Sequence, residues 1–324
     1  MEKCIQSVKE TIERQVKMGE CSFFGEPFSR YQKFYYCTNE NISEYLNLAN
    51  FNGKSDALSV MGSGDHIFNL ITMGITNIDT FDTNELTEYY VLGLRRAMIL
   101  KYDYEEFRYL TISLLRSNQV KTEEINEIIN GLLPYMDIKY RIFWKSIIDF
   151  NYKIQREYGT NINLFSLISA KNLVVPEFNN YLNNKTNYNL LRERIKQANI
   201  SFKCVNAVNL AEEYDGKYDF ILLSNIIDYF FKSWGMAWKY PKLREYEKEL
   251  EKITNDGGVI FLKYIMSYVK RSVSCERIFP NSSTTKKDLT DEEVHKISVP
   301  FDDVAYAGMV LKRVKQEDDM SLKV

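Results

Sequence analysis

The run Ser59-Val60-Met61-Gly62-Ser63-Gly64-Asp65, followed about 20 residues later by Phe81-Asp82-Thr83-Asn84, has the residue types and spacing of the two ends of a nucleoside-binding strand–helix–strand unit. Gly62 and Gly64 let the backbone turn sharply where a Cβ would obstruct a ligand. The amides that follow them open a helix, a position suited to a carboxylate or another anion. Asp82, at the end of the second strand, can accept hydrogen bonds from vicinal ribose hydroxyls; its alternative role is a cap for the helix beginning near Glu85. Thr83 and Asn84 continue that loop and can shape its rim, with Asn84 the better cap if Asp82 takes the sugar.

A dinucleotide fingerprint would place a third glycine at the end of Gly62-Ser63-Gly64-Asp65-His66-Ile67. Ile67 stands there, and Asp65 adds negative charge beside the turn, so both residues count against a pyrophosphate. Asp65 suits an ammonium or sulfonium centre instead, or else serves as a helix cap. His66 can take a proton from an acceptor within reach, or simply pack at the helix start.

These residues need a scaffold. Ala57–Met61 reads as a short buried strand and Asn77–Phe81 as the next, separated by a helix through Met73 that Gly74 would end. Glu85–Leu100 reads as a helix with Leu86, Tyr90, Leu94, Ala97 and Met98 on one side. Further strands are expected at Ser201–Val205, Tyr218–Leu223 and Gly258–Lys263, with a helix over Lys242–Ile253 and a terminal antiparallel hairpin from Val294–Val299 and Tyr306–Arg313. The succession is that of an α/β fold with a mostly parallel, doubly wound sheet. Residues 1–54 read as an N-terminal helical cover, 55–100 and 186–324 as the sheet domain, and 101–185 as a helical insertion. That insertion would form a lid over the carboxyl ends of the strands, where open α/β sheets place ligands.

The later strand ends supply more polar groups. Asn206 and Ala207 follow the third strand, where an amide can read adenine and a small side chain can lie beside the ring. Ser224 and Asn225 follow the fourth, and Asp228 and Tyr229 come next as candidates to position an acceptor, with Asp228 a possible proton acceptor. Each has a cap, turn or packing role as its alternative. Tyr31, Tyr35 and Tyr36 can cover a nucleoside from the N-terminal segment, and Lys263 can face an anionic acceptor or merely end the fifth strand.

Composition narrows the classes. The 42 basic and 44 acidic residues leave a formal charge of −2, so no general attraction to a polyphosphate is built in, and no stable nucleic-acid complex is expected. Five scattered cysteines and two histidines predict neither a disulfide framework nor a metal site. The charged N-terminus is unlike a signal peptide, and no apolar run has the length of a transmembrane helix, so the expected location is the cytoplasm.

The glycine turn after strand one, the acid after strand two, the polar and small pair after strand three and the terminal antiparallel strand together resemble the Rossmann-like class I S-adenosylmethionine-dependent transferases. The resemblance covers 55–100 and 188–313. It implies S-adenosylmethionine as the bound donor, with Gly62, Ser63, Gly64 and Asp65 at its methionine end and Asp82, Thr83 and Asn84 at the ribose. Asn206 and Ala207 would form the adenine wall, and Ser224 and Asn225 the strand-four loop. The turn departs from the commoner acid-x-Gly-x-Gly pattern, which implies an unusual hold on the methionine end. A narrower resemblance, carried by GSGDHIFNLITMGITNIDTFDTNELTEYYVLGLRRAMI, KYDYEEF and RIFWKSI, is to bacterial betaine-lipid synthase relatives that transfer a 3-amino-3-carboxypropyl group. Methyl transfer to a small-molecule or lipid acceptor is the simplest expectation, aminocarboxypropyl transfer its close competitor, and a non-catalytic adenosine-ligand-binding protein the third.

Overall fold

The computed structural model describes residues 1–18, 34–38, 40, 42–46, 50–114, 122–159, 169–170, 176–226, 239–267, 299–301 and 305–313. In chain order the strands are β1 (Phe34–Tyr35), β2 (Asp56–Val60), β3 (Asn77–Asp82), β4 (Ser169–Ala170), β5 (Asn199–Cys204), β6 (Tyr218–Leu222), β7 (Thr254–Ser267), β8 (Val299–Phe301) and β9 (Ala305–Arg313). The chain divides into two compact units. One comprises Met1–Asn39, Met61–Thr72 and Asp82–Gln197; the other comprises Glu40–Val60, Met73–Phe81 and Ala198–Val324.

The second unit carries a seven-stranded sheet in the order β5-β3-β2-β6-β7-β9-β8. Its first five strands are parallel, whereas β9 runs antiparallel to both β7 and β8. This is an α/β architecture compatible with a Rossmann-like fold. Burial explains the order: β6 is buried at every position and β2 at all but its first, as central parallel strands are. In β5, exposed positions alternate with half-buried ones, which suits an edge. The core gathers Leu58, Ile221 and Ile260 from three adjacent strands against Tyr246 and Leu250 of the helix Lys239–Lys252.

Strand order reverses at β2, which has β3 on one side and β6 on the other, so the sheet has a topological switch point at the carboxyl ends of these strands. The expected strands at Ala57–Met61, Asn77–Phe81, Ser201–Val205, Tyr218–Leu223 and Tyr306–Arg313 lie within a residue or two of β2, β3, β5, β6 and β9; the hairpin strand expected at Val294–Val299 meets β8 only at Val299, its other residues lying outside the described ones, and β7 is longer than expected at both ends. The sequence pattern begins it at Gly258, but the ladder already includes Thr254. Gly257, at φ +70°, is absorbed near a register shift, and the far end continues to Ser267 because β9 pairs along it. Gly74, at φ +104°, ends the helix Asp65–Met73 as expected.

At the amino ends of the central strands, Asp219 of β6 accepts from the Ser55 amide at 3.0 Å, Lys54 Nζ at 3.2 Å and Asn255 Nδ2 at 3.1 Å. Burial opposes its charge, but these hydrogen bonds outweigh it and hold the carboxyl below the usual range. Asp219→Ala should therefore destabilise the fold by about 2 kcal/mol, because its donors lose a charged acceptor. A urea titration will measure the loss. The wild-type advantage should fade on acidification, as the lowered carboxyl finally protonates.

The first unit is mainly helical. The segment expected to be one helix over Glu85–Leu100 is interrupted: α-helical at Leu86–Glu88, it widens to π-helix over Tyr89–Arg95 and returns to α-helix at Arg96–Lys101. The widening places Gly93 against the long helix Ile138–Tyr158, where an added Cβ would lie 3.0 Å from both Trp144 Nε1 and Tyr140 Cβ. Trp144 Nε1 donates to the Tyr89 carbonyl at 2.9 Å, and Tyr89 stacks on Phe143. The N-terminal helix Glu2–Met18 belongs to this same unit and packs on the long helix, with Lys9 over the Phe150 ring. No helix among the described residues is long and apolar enough to cross a membrane.

Candidate functional site

The glycine turn leaves β2 at Met61 and closes with the Gly64 amide donating to the Met61 carbonyl at 2.8 Å. Both glycines are left-handed, Gly62 at φ +47° and Gly64 at φ +84°, for different surroundings. A Cβ on Gly64 would come within 2.6 Å of Val91 Cγ1, so that glycine is required by packing against the π-helix. A Cβ on Gly62 would meet nothing within 4 Å among the described residues.

Asp82 is bound to this turn. Its Oδ2 accepts from the Gly62 amide at 3.1 Å and its Oδ1 from the Asn84 amide at 2.9 Å. Asp82 is half-buried, and burial pushes its carboxyl up to about 6, against the lowering effect of the Asn84, Gly62 and Thr83 amides. Asn84 is buried, and its Oδ1 accepts from the Leu86 amide at 3.1 Å, closing the start of the following helix. The cap and the strand-end acid are thus separate residues, which leaves Asp82 free of a capping duty for that helix. Thr83 lies half-buried between them.

Asp65 requires a correction. It has no exposed surface, and four protein donors converge on it. Arg95 Nη1 at 2.9 Å and the Tyr181 hydroxyl donate to Oδ1; the Ser63 hydroxyl and the Thr38 amide donate to Oδ2, both at 2.6 Å. A carboxylate has about four acceptor positions, so Asp65 is filled, and the cation facing it is the protein's own guanidinium rather than a ligand's. Arg95 also donates to the Ser63 carbonyl at 2.6 Å and to the Tyr181 hydroxyl at 2.6 Å, with its guanidinium over the Phe68 ring. Burial disfavours the Arg95 charge, but Asp65 and the nearby phenols outweigh it and raise its pKa. Burial, opposed by Arg95, keeps Tyr181 protonated well beyond its ordinary range. The network clamps Ser63 by backbone and side chain, so its function is to hold the turn in shape.

Arg95 and Tyr181 were not legible as partners of the turn. The one sequence signal is the pair Arg95-Arg96 set between the apolar runs Val91–Leu94 and Ala97–Ile99. His66 is buried at 4 % exposure in the first turn of Asp65–Met73, which favours packing over proton exchange with a diffusible acceptor. Tyr36 is also corrected: it is buried, and its hydroxyl donates to the Thr111 carbonyl at 3.0 Å, so it is a core residue and not a cover. Tyr35 of β1 is half exposed. Tyr31, Asp228 and Tyr229 lie outside the described residues, as does the side chain of Lys263, whose backbone pairs with Val310.

In the sheet unit, Asn206 is exposed and its Oδ1 accepts from the Val208 amide at 3.2 Å, capping a short helical turn. Ala207 is buried in the core beside Leu58 and Phe81. Ser224 follows β6 at φ +56°, a left-handed conformation unusual for a non-glycine residue, and donates its hydroxyl to the buried Glu40 carboxylate. Asn225 is half-buried next to it. Glu40 is the strand-end carboxylate that motif reading overlooks, because it enters from far upstream in the chain.

No protein-family model matches the chain, and no curated protein matches it.

Proposed function

We propose that the chain is an S-adenosylmethionine-dependent transferase that moves the sulfonium methyl group to an acceptor. The observation that carries this reading is the lock between Asp82 and Gly62. One carboxylate oxygen receives the amide of a left-handed glycine whose Cβ position is clear of the described residues, while the carboxylate retains acceptor capacity for a ribose hydroxyl. The antiparallel β9 inserted between β7 and β8 supports the same reading, since the class I resemblance calls for a terminal antiparallel strand.

The chemistry asks little of the protein beyond placement. The acceptor's lone pair forms a bond to the methyl carbon, the carbon–sulfur bond breaks toward sulfur, and the neutral thioether departs as the acceptor releases its proton. Alignment of the reacting atoms supplies much of the acceleration. Attack at the methionine Cγ instead transfers a 3-amino-3-carboxypropyl group and leaves methylthioadenosine. The narrower sequence resemblance favours that second reading.

Calorimetric titration with S-adenosylmethionine, followed by incubation with cell extracts and separation of the nucleoside products, tests the proposal. Enzyme-dependent S-adenosylhomocysteine establishes methyl transfer, and methylthioadenosine establishes the aminocarboxypropyl reaction. Binding without turnover leaves an adenosine-ligand-binding protein. Absence of binding overturns the reading.

A further inference from the structure

We propose that the outward face of the helix Ile138–Tyr158 is a docking surface for a bilayer with anionic headgroups. The inference is independent of the transfer chemistry. Ile138 is 73 % exposed and Ile142 is 47 % exposed, and their spacing puts them on one side of the helix. Tyr135, 43 % exposed, immediately precedes them in the tight turn Leu133–Tyr135. Three large apolar side chains are therefore exposed at or just before one end of a helix whose other face is packed through Phe143, Trp144, Ile147 and Ile148.

The rest of the outward face is basic. Arg141, Lys145, Lys153 and Arg156 are exposed along it, against Asp149, which pairs with Lys145, and Glu157; Asp137, just before the helix, is exposed as well and pairs with Arg96. Arg141 donates to the neutral carbonyls of Leu133 and Met136, so its charge is undiminished by those contacts. The whole chain is net acidic at −2, which makes this cationic stripe a local feature. A cationic face with an isoleucine and tyrosine tip is complementary to an anionic interface: the cations meet phosphates and carboxylates, and the apolar tip enters below them. A nucleic-acid backbone would satisfy the cations but offer nothing to two exposed isoleucines, so the lipid surface is the better fit.

Flotation of the full chain with phosphatidylcholine vesicles, with and without phosphatidylserine, tests the proposal. Wild type should float with the phosphatidylserine vesicles, favour them over phosphatidylcholine alone, and be released by salt. Ile138→Ser/Ile142→Ser and, separately, Lys153→Glu/Arg156→Glu should each weaken the association by roughly tenfold or more. All four positions are exposed, so circular dichroism and melting should match wild type. Undiminished binding by either folded variant overturns the proposal, as does indifference to phosphatidylserine. Displacement of wild type from the vesicles by duplex DNA would reassign the face to nucleic acid and overturn it as well.

Discussion

Arg95→Ala should lower the free energy of unfolding by about 3–5 kcal/mol, a large share of what a folded domain possesses. The cost does not measure the attraction of Arg95 for Asp65, because two buried charges have already lost their hydration. It arises because removal of the guanidinium leaves the Asp65 carboxylate buried, with three donors and no counter-charge, and also frees the Ser63 carbonyl. Denaturant unfolding monitored by tryptophan fluorescence measures it. Asp65→Asn should be costly for the converse reason, and combining it with Arg95→Met should cost less than the sum of the two. If Asp65 instead faced a ligand, Asp65→Asn would spare stability and weaken only binding. Because Ser63 sits between the two glycines, any folded Arg95 variant should also bind the nucleoside less tightly.

Asp82→Ala should weaken binding of the adenosine ligand by about 1.5–3 kcal/mol, roughly tenfold to a hundredfold, through loss of a charged acceptor for ribose. Titration calorimetry checks this, and unchanged affinity would remove Asp82 from the site. The wild-type affinity should also depend on pH. The ionised carboxylate makes the stronger, charge-assisted hydrogen bonds to hydroxyl and amide, so affinity should hold near neutrality and fall as the solution is acidified through about 6. Stability should move the other way. Folded Asp82 retains its proton up to about 6, whereas the unfolded residue releases it near 3.8, so the folded state binds the extra proton between those values. The stabilisation from this group is complete below 3.8 and lost as pH rises through about 6. The stability of wild type relative to Asp82→Asn should therefore increase on acidification while ligand affinity declines. This opposition separates a residue held desolvated for a ligand from one that merely supports the fold.

Local order was legible because local forces produce it. Apolar runs such as Ala57–Val60 and Tyr218–Leu222 are strands because a central parallel strand buries both faces, and Gly62, Gly64 and Gly74 mark left-handed turns that few other residues tolerate. The spacing from the glycine turn to Asp82 is likewise a property of one strand–helix–strand unit, so the lock between Gly62 and Asp82 closes within the segment that encodes it. The π-helical widening at Tyr89–Arg95 left no mark, since it depends on what Gly93 and Arg95 meet, and those partners come from the helix Ile138–Tyr158 and from Tyr181.

The sequence by itself therefore determined the parallel α/β pattern, the glycine bend and the acid that follows it. Only the tertiary structure decided the electrostatic role of each acid. Asp65 and Asp82 look alike as charges beside a turn, yet one is filled by Arg95, Tyr181, Ser63 and Thr38, while the other is half-buried with no cation beside it among the described residues and is held by the Gly62 and Asn84 amides. Charge compensation at a buried site is set by which distant side chains folding brings within about 3 Å, and no local pattern records that distance.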